Sequence, residues 1–255
     1  MAEIFAVVNQ KGGVGKTTTA VNLGAFLAEH GKRVLLIDLD PQANATSGVG
    51  LQVDKINGGI YELICGSKDI LDVLYPTSIK NLNIIPASPD LSGASVELLN
   101  VEEREFQLKK LLQPITDSYD YILIDCPPSI GILTINALAA ATQVLVPVQC
   151  EYYALEGLGR LMNTIELVKG EVNPELELCG IVMTMFDPRT KLSKEVVEET
   201  RKHFNDKVFK TIIPRNVRIS EAPSYGQPVT IYAKKSEGAT AYRELTKEVL
   251  QNARN

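Results

Sequence analysis

The sequence predicts an α/β fold in one domain: a mostly parallel, twisted sheet flanked by helices on both faces. Three observations predict it. Near-continuous apolar runs at 4–8, 33–37, 121–124 and 144–148 lack the alternation of a half-exposed strand and read as parallel strands covered on both sides. Helical spacing of apolar residues separates these runs, giving the strand–helix–strand pattern of such sheets. A chain of 255 residues with 45% hydrophobic and 22% charged content is long enough to bury both faces of a sheet.

The first strand runs into Gln10-Lys11-Gly12-Gly13-Val14-Gly15-Lys16-Thr17-Thr18, and a helix is expected over 17–29, with Val21, Leu23, Leu27 and Ala28 apolar and Gly31 closing it. Without Cβ atoms at Gly12, Gly13 and Gly15, successive backbone N–H groups turn inward around an anion, and the helix N-terminus adds its partial positive charge. A nucleoside triphosphate suits this loop. Lys16 then reaches the β- and γ-phosphates, and the Thr17 hydroxyl is placed to ligate the Mg²⁺ that bridges them. Against the template G-x-x-x-x-G-K-[ST], Gly15, Lys16 and Thr17 fit, but Gln10 stands where the first glycine belongs. Lys11, a strong cation in a loop that otherwise works through backbone amides, is expected to neutralise charge in its own right. The fold class narrows to a single-domain P-loop NTPase spanning residues 1–255.

The second strand ends in Asp38-Leu39-Asp40-Pro41-Gln42. Carboxylates at the C-terminal end of a parallel strand lie on the edge where α/β sheets hold ligands, although solvated loop acids are the plainer alternative. Residues 43–80 read as surface connections with short helical patterns around 60–64 and 68–74. A short strand is expected over 82–86 and one helix over 93–112, its Glu and Lys side chains a solvated face. Residues 121–124 lead into Asp125 in a Walker B pattern, the acid holding Mg²⁺, commonly through a water. Pro127 and Pro128 offer no N–H, so the strand cannot continue and the chain turns away beneath the γ-phosphate position. Helices are expected over 133–141, 155–171 and 194–204, and strands over 144–148, 178–185 and 208–213. The final segment, 236–254, carries Ala239, Tyr242, Leu245, Val249 and Leu250 as one stripe for docking on the domain, without the basic face of a membrane-surface helix.

Composition excludes several classes. No apolar run approaches the roughly 18 to 20 residues of a membrane span, and no leader-like N-terminus is present, so a cytosolic protein is expected. Cys65, Cys126, Cys150 and Cys179 are scattered without a C-x-x-C and read as free thiols, with no structural zinc expected. Cys126, beside the expected magnesium site, is read as packing. The net charge of −5 argues against nucleic-acid binding through the overall field, but 187–235 holds eleven cations against six anions, +5, leaving −10 elsewhere.

Lys11-Gly12-Gly13-Val14-Gly15-Lys16-Thr17 resembles the deviant Walker A motif of the ParA/MinD group of ATPases. That resemblance implies that Lys11 reaches across a dimer interface to the partner's nucleotide. It makes 38–42 similar to switch I, with Asp40 as the carboxylate that positions and polarises the attacking water and Asp38 in support. Asp125-Cys126-Pro127-Pro128-Ser129 is similar to switch II of the ParA branch. Glu151, in Gln149-Cys150-Glu151-Tyr152-Tyr153, matches a glutamate that contacts ribose across the interface. On its own it is an acid near a helix start, which the helix dipole suffices to explain. Pro214 and Asn216 match the base-contacting loop, where an amide both donates to and accepts from adenine, and Met185 is placed to pack against the ring.

Arg189 and Arg218 match arginines that carry DNA binding in Soj-like members. Lys191, Arg215, Lys234 and Lys235 widen the patch, although for Lys234 and Lys235 surface solvation is an equal reading. Cations in loops, with no helix-turn-helix, suit phosphate contact without sequence reading. The resemblance covers 4–250 and implies a short, Soj-type partition ATPase. Such a protein is a cytoplasmic, nucleoid-associated homodimer when ATP-bound, uses Mg²⁺, binds arbitrary duplex DNA and not membrane, and is stimulated by a ParB-type partner. A MinD-like membrane-associated positioning ATPase is the alternative. A nitrogenase-iron-protein-like electron donor needs paired cluster cysteines, and only Cys126 lies near a switch.

Overall fold

Eight strands form the centre of the computed structural model, which describes residues 1–252. They are β1 (Glu3–Val7), β2 (Val34–Asp38), β3 (Tyr75–Pro76), β4 (Leu82–Ile85), β5 (Tyr121–Asp125), β6 (Gln143–Gln149), β7 (Glu177–Phe186) and β8 (Val208–Pro214). Their order in the sheet is β3-β4-β2-β5-β1-β6-β7-β8. Every pairing is parallel except that of β3 with β4. The chain first builds outward from β1 on one side, then crosses to β6 and builds on the other. This is the doubly wound arrangement, whose ligands sit beyond the carboxyl ends of the strands where the winding reverses.

The near-continuous apolar strands arise because alternate residues enter two separate cores. One face carries Ala6, Leu35, Ile37, Ile122, Ile124, Val144 and Val146. It is covered by α3 (Ile60–Ile64), α5 (Gln107–Leu112), α6 (Ile132–Ala140), α7 (Ala154–Glu171) and α8 (Lys191–Phe204), which contribute Leu63, Leu108, Leu138, Leu161 and Val197. The other face carries Phe5, Val7, Val34, Leu36, Leu123 and Leu145 under Leu23, Phe26 and Leu27 of α1 (Lys16–Glu29) and Tyr242, Leu245 and Val249 of α11 (Glu237–Asn252). Gly31, left-handed at φ +79°, donates its N–H to Ala28 and closes α1. The terminal helix lies where the apolar stripe predicted, except that residues 253 and 254 of the expected segment fall outside the described residues.

Two expectations are corrected. The single helix over 93–112 is instead a broken path: α4 (Ala94–Glu97), a 3₁₀ turn at Leu98–Asn100, extended Val101, left-handed Glu103 (φ +50°), a second 3₁₀ turn at Arg104–Phe106, and then α5. Its charges suggest one helix, but the buried leucines reach the core from two separate pieces, Leu98 from the first 3₁₀ turn and Leu108 and Leu112 from α5. Residues 43–80 are not merely surface connections either. Thr46 of α2 (Asn44–Gly48), Ile60, Leu63 and Val73 are buried, because this segment folds over the edge of the sheet beside β2 and β4.

Leu245→Ala removes a fully buried side chain between α11, α1 and the sheet, and is expected to cost about 3 kcal/mol in denaturant unfolding. Leu167→Ala, at 67% exposure on α7, is expected to stay within about 0.5 kcal/mol of the parent.

Candidate active site

Six strand ends deliver the site. The carboxyl ends of β1, β2, β5, β6, β7 and β8 lead respectively to the glycine loop, Asp38, Asp125, Gln149, Phe186 and Pro214. In register, Asp125 lies between Val7 of β1 and Asp38 of β2, so the two acids stand side by side.

Gly13 (φ +73°) and Gly15 (φ +90°) are left-handed, so at these two positions the absence of Cβ is a backbone requirement. Gly15 caps α1 and accepts the Thr19 N–H. The loop is braced from a distance. Asn9 accepts the Lys11 N–H at 2.9 Å while donating to the Pro147 carbonyl at 2.7 Å, and the Thr184 hydroxyl donates to the Val14 carbonyl at 2.8 Å. Sequence reading passed over both Asn9 and Thr184, since Pro147 and Val14, which make them braces, lie more than 130 positions from them. Gly12 and Gly13 are exposed, Val14 and Lys16 are buried, and Thr17 and Thr18 are half-buried at the start of α1.

Lys16 donates to the Lys11 carbonyl at 3.2 Å. Burial lowers its ammonium from the ordinary lysine value, opposed chiefly by Asp125. Burial raises Asp125 well above the usual carboxylate range, and neighbouring Asp38 adds to the effect, while the Thr17 hydroxyl and Lys16 oppose it. Asp38 is pushed up to about 6, mainly by burial, although it accepts from the Thr46 N–H (2.8 Å), the Thr46 hydroxyl (2.7 Å) and the Asp40 N–H (3.2 Å). Asp40 lies just past the strand end, buried, and accepts the Gln42 N–H at 3.0 Å. Burial likewise keeps the Cys126 thiol raised and protonated.

The donor set fits a small hard cation held next to phosphate. Both carboxylate oxygens of Asp125 are buried with no hydrogen-bond partner of normal geometry among the described residues. No group of three or more metal-ligating side chains occurs there. One carboxylate and one hydroxyl, with the remaining positions left to phosphate oxygens and water, is the habit of Mg²⁺.

Other expected residues are distributed around this centre. Lys11 pairs with Glu151 in the same chain, Nζ to Oε2 at 2.7 Å, and Gln149 donates to the other Glu151 oxygen at 2.6 Å. Met185 (φ +53°) is the next-to-last residue of β7 and Pro214 the last of the adjacent β8, and the Arg215 N–H bonds to the Phe186 carbonyl at 2.9 Å. Asn216 caps α9 (Val217–Glu221), its oxygen accepting the Arg218 N–H at 3.0 Å. Arg189 and Arg218 are exposed and ion-paired, with Asp187 at 2.7 Å and Glu221 at 2.9 Å respectively. Lys191 and Lys234 are paired with Glu195 and Glu29, and Lys235 is exposed.

A strand, a glycine loop, a helix start bearing lysine and threonine, and acid-tipped neighbouring strands define a P-loop nucleoside triphosphatase, and a family model described as an AAA domain matches residues 2–178. The chain is 53% identical over 252 residues to the sporulation initiation inhibitor protein Soj of Bacillus subtilis (strain 168), covering 99% of this chain and 100% of that protein. It is also 53% identical over 251 residues to the chromosome partitioning protein ParA of Myxococcus xanthus (strain DK1622), covering 98% and 89%. The chain belongs to the Soj/ParA family. A similar solved structure, at TM-score 0.88 and 38% identity over 100% of this chain and 96% of that one, is the cobyrinic acid a,c-diamide synthase of Mycobacterium smegmatis with bound ADP and magnesium.

The raised acids give a stability prediction. A carboxyl whose pKa is higher in the folded chain than in the unfolded chain stabilises below the unfolded value, and that stability is lost as pH rises through the folded value. Asp125→Asn is therefore expected to raise the stability of the nucleotide-free protein at pH 7.5. The gain should fade as pH falls toward the ordinary carboxylate range near 4, which thermal melts across pH 4 to 8 will read.

Proposed function

We propose that this chain is a slow, Mg²⁺-dependent ATPase that acts as a switch in chromosome or plasmid partition. Bound to ATP it pairs as a homodimer and holds duplex DNA without reading its sequence. Hydrolysis, stimulated by a ParB-type centromere-binding partner, releases both. The observation that carries this reading is the meeting of the glycine loop, Lys16 and the orphaned Asp125 carboxylate at one sheet edge, in a chain half identical to proteins named Soj and ParA.

In this reading ATP is the substrate, and the work is positioning and charge neutralisation. Backbone N–H groups from Gly12 to Thr18, including Val14, cradle the phosphates, and Lys16 exchanges the Lys11 carbonyl for phosphate oxygens. Thr17 and Asp125 would hold Mg²⁺, which supplies charge neutralisation at the β- and γ-phosphate oxygens. Asp40 orients the attacking water. Lys11 leaves Glu151 to complete the partner's site, and Glu151 turns to the partner's ribose. Met185, Pro214 and Asn216 meet the base, where the Asn216 amide nitrogen can donate while its oxygen also accepts the Arg218 N–H.

Arg189 and Arg218 contact DNA phosphates. Their present ion pairs are solvent-exposed surface pairs of little net strength, so a phosphate backbone competes with them readily. The protein is then cytoplasmic and nucleoid-associated. No described helix is long and apolar enough to cross a membrane, and the α11 stripe is committed to β8 and α1.

Lys11→Ala is expected to abolish ATP-dependent pairing in light scattering and to lower hydrolysis about a hundredfold. Its own ion pair is half-exposed, so the fold should lose less than about 1 kcal/mol. A variant that pairs and hydrolyses as the parent does removes the trans lysine from the mechanism. Reversing charge at both Arg189 and Arg218 is expected to eliminate ATP-dependent retention on arbitrary duplex DNA. Replacing both by alanine should lower the slope of log affinity against log salt by about 2. Unchanged retention would place the DNA surface elsewhere.

A further inference from the structure

We propose that Thr46 is a positioning residue for hydrolysis: its hydroxyl aims the Asp38 carboxylate, and Asp38 in turn fixes the turn that presents Asp40. The inference rests on the ATPase reading above and deepens it.

Thr46 is fully buried in α2, six residues beyond Asp40. Its hydroxyl accepts the Ala87 N–H at 3.0 Å and so has its one hydrogen left to donate, which goes to Asp38 Oδ2 at 2.7 Å. The direction of the chain of bonds is therefore set: Ala87 N–H to Thr46, Thr46 to Asp38. The Thr46 N–H donates to the same Asp38 oxygen at 2.8 Å, while Asp38 Oδ1 takes the Asp40 N–H at 3.2 Å.

One carboxylate thereby bridges both ends of the turn 40–46. Within the turn, the Asp40 carbonyl accepts from the Ala43 N–H at 2.9 Å, and buried Ala43 is left-handed at φ +53°. A non-glycine residue in that region is held only where its surroundings over-determine it. Asp38 supplies that restraint, and without the hydroxyl its carboxylate is held only by the Thr46 and Asp40 N–H groups, so its aim is less sharply fixed. Asp40 would then lose its fixed backbone anchor, while the glycine loop, braced independently by Asn9 and Thr184, would not. The device acts on water placement and leaves ATP binding alone.

The test compares Thr46→Val and Thr46→Ser with the parent and Asp40→Ala. Single-turnover hydrolysis of Mg·ATP gives the rate, and equilibrium titration with a fluorescent ATP analogue gives affinity. Thr46→Val removes the charge-assisted bond to Asp38 and the acceptor of the Ala87 N–H, and is expected to hydrolyse about tenfold more slowly with analogue affinity within about twofold of the parent. Thr46→Ser keeps the hydroxyl and is expected to restore the parental rate. If the valine variant does not fold, Thr46→Ala carries the same expectation.

A hydroxyl-free variant as fast as the parent overturns the proposal, and so does a serine variant as slow as valine, or a rate loss matched by an equal loss of affinity. Failure of the broader reading looks different. A parent that does not turn over ATP, or one indifferent to Asp40→Ala, removes the ATPase mechanism and this inference with it.

Discussion

Two buried carboxylates side by side govern much of this architecture. Asp38 and Asp125 end adjacent strands in register, both fully buried, with Lys16 the buried cation that faces Asp125. Burying like charges together is unfavourable, and their raised pKa values record that cost. The surrounding chain offsets it for Asp38, which receives three hydrogen bonds, and leaves Asp125 without any of normal geometry among the described residues. The asymmetry divides the labour. Asp38 belongs to the protein's own framework, while Asp125 remains available to a ligand. A site of this kind trades stability for function, and the wide two-faced core is what makes the trade tolerable.

The parts of this arrangement that were legible in the sequence are those with local signals. A strand, a glycine loop and a helix start are contiguous, so the phosphate cradle could be read from one stretch, and left-handed Gly13 and Gly15 explain why glycine stands there. Asp125 was legible because a strand buried on both faces is apolar until it ends, and an acid at that end breaks the pattern. The two-sided sheet and the C-terminal docking helix followed from the same periodicities.

What stayed hidden depends on contacts between distant residues or on irregular backbone. Between 43 and 112 the chain enters the core through short α and 3₁₀ pieces, and Ala43 and Glu103 take left-handed conformations without being glycine. Apart from the patterns at 60–64 and 82–86, which α3 and β4 bear out, no helical or strand period survives such a path, so Thr46 read as surface although it is fully buried between Asp38 and Ala87. The braces from Asn9 to Pro147 and from Thr184 to Val14 were invisible for a related reason. A single Asn or Thr carries no motif, and only the folded sheet brings β6 and β7 beside the loop. The pairing of Arg189 with Asp187 and of Arg218 with Glu221 also modifies the picture of bare cations that charge counting gave.

The cis pairing of Lys11 with Glu151 bears on how nucleotide state becomes subunit association in the proposed mechanism. Both residues were assigned, by resemblance, to contacts with a partner's nucleotide, yet in the single chain each satisfies the other. Breaking the pair exposes neither charge to an apolar interior, because both side chains are about half exposed and Gln149 still donates to Glu151. The cost is that of a surface ion pair, about 1 kcal/mol or less, small beside what a buried cation gains from a triphosphate. The pair therefore acts as a resting position more than as a lock. Control falls instead to whether a triphosphate is present on the opposite subunit, since only its added negative charge gives Lys11 a better partner than Glu151. On this account a nucleotide without its γ-phosphate leaves the balance near the resting pair, and association tracks hydrolysis with no large rearrangement of the sheet.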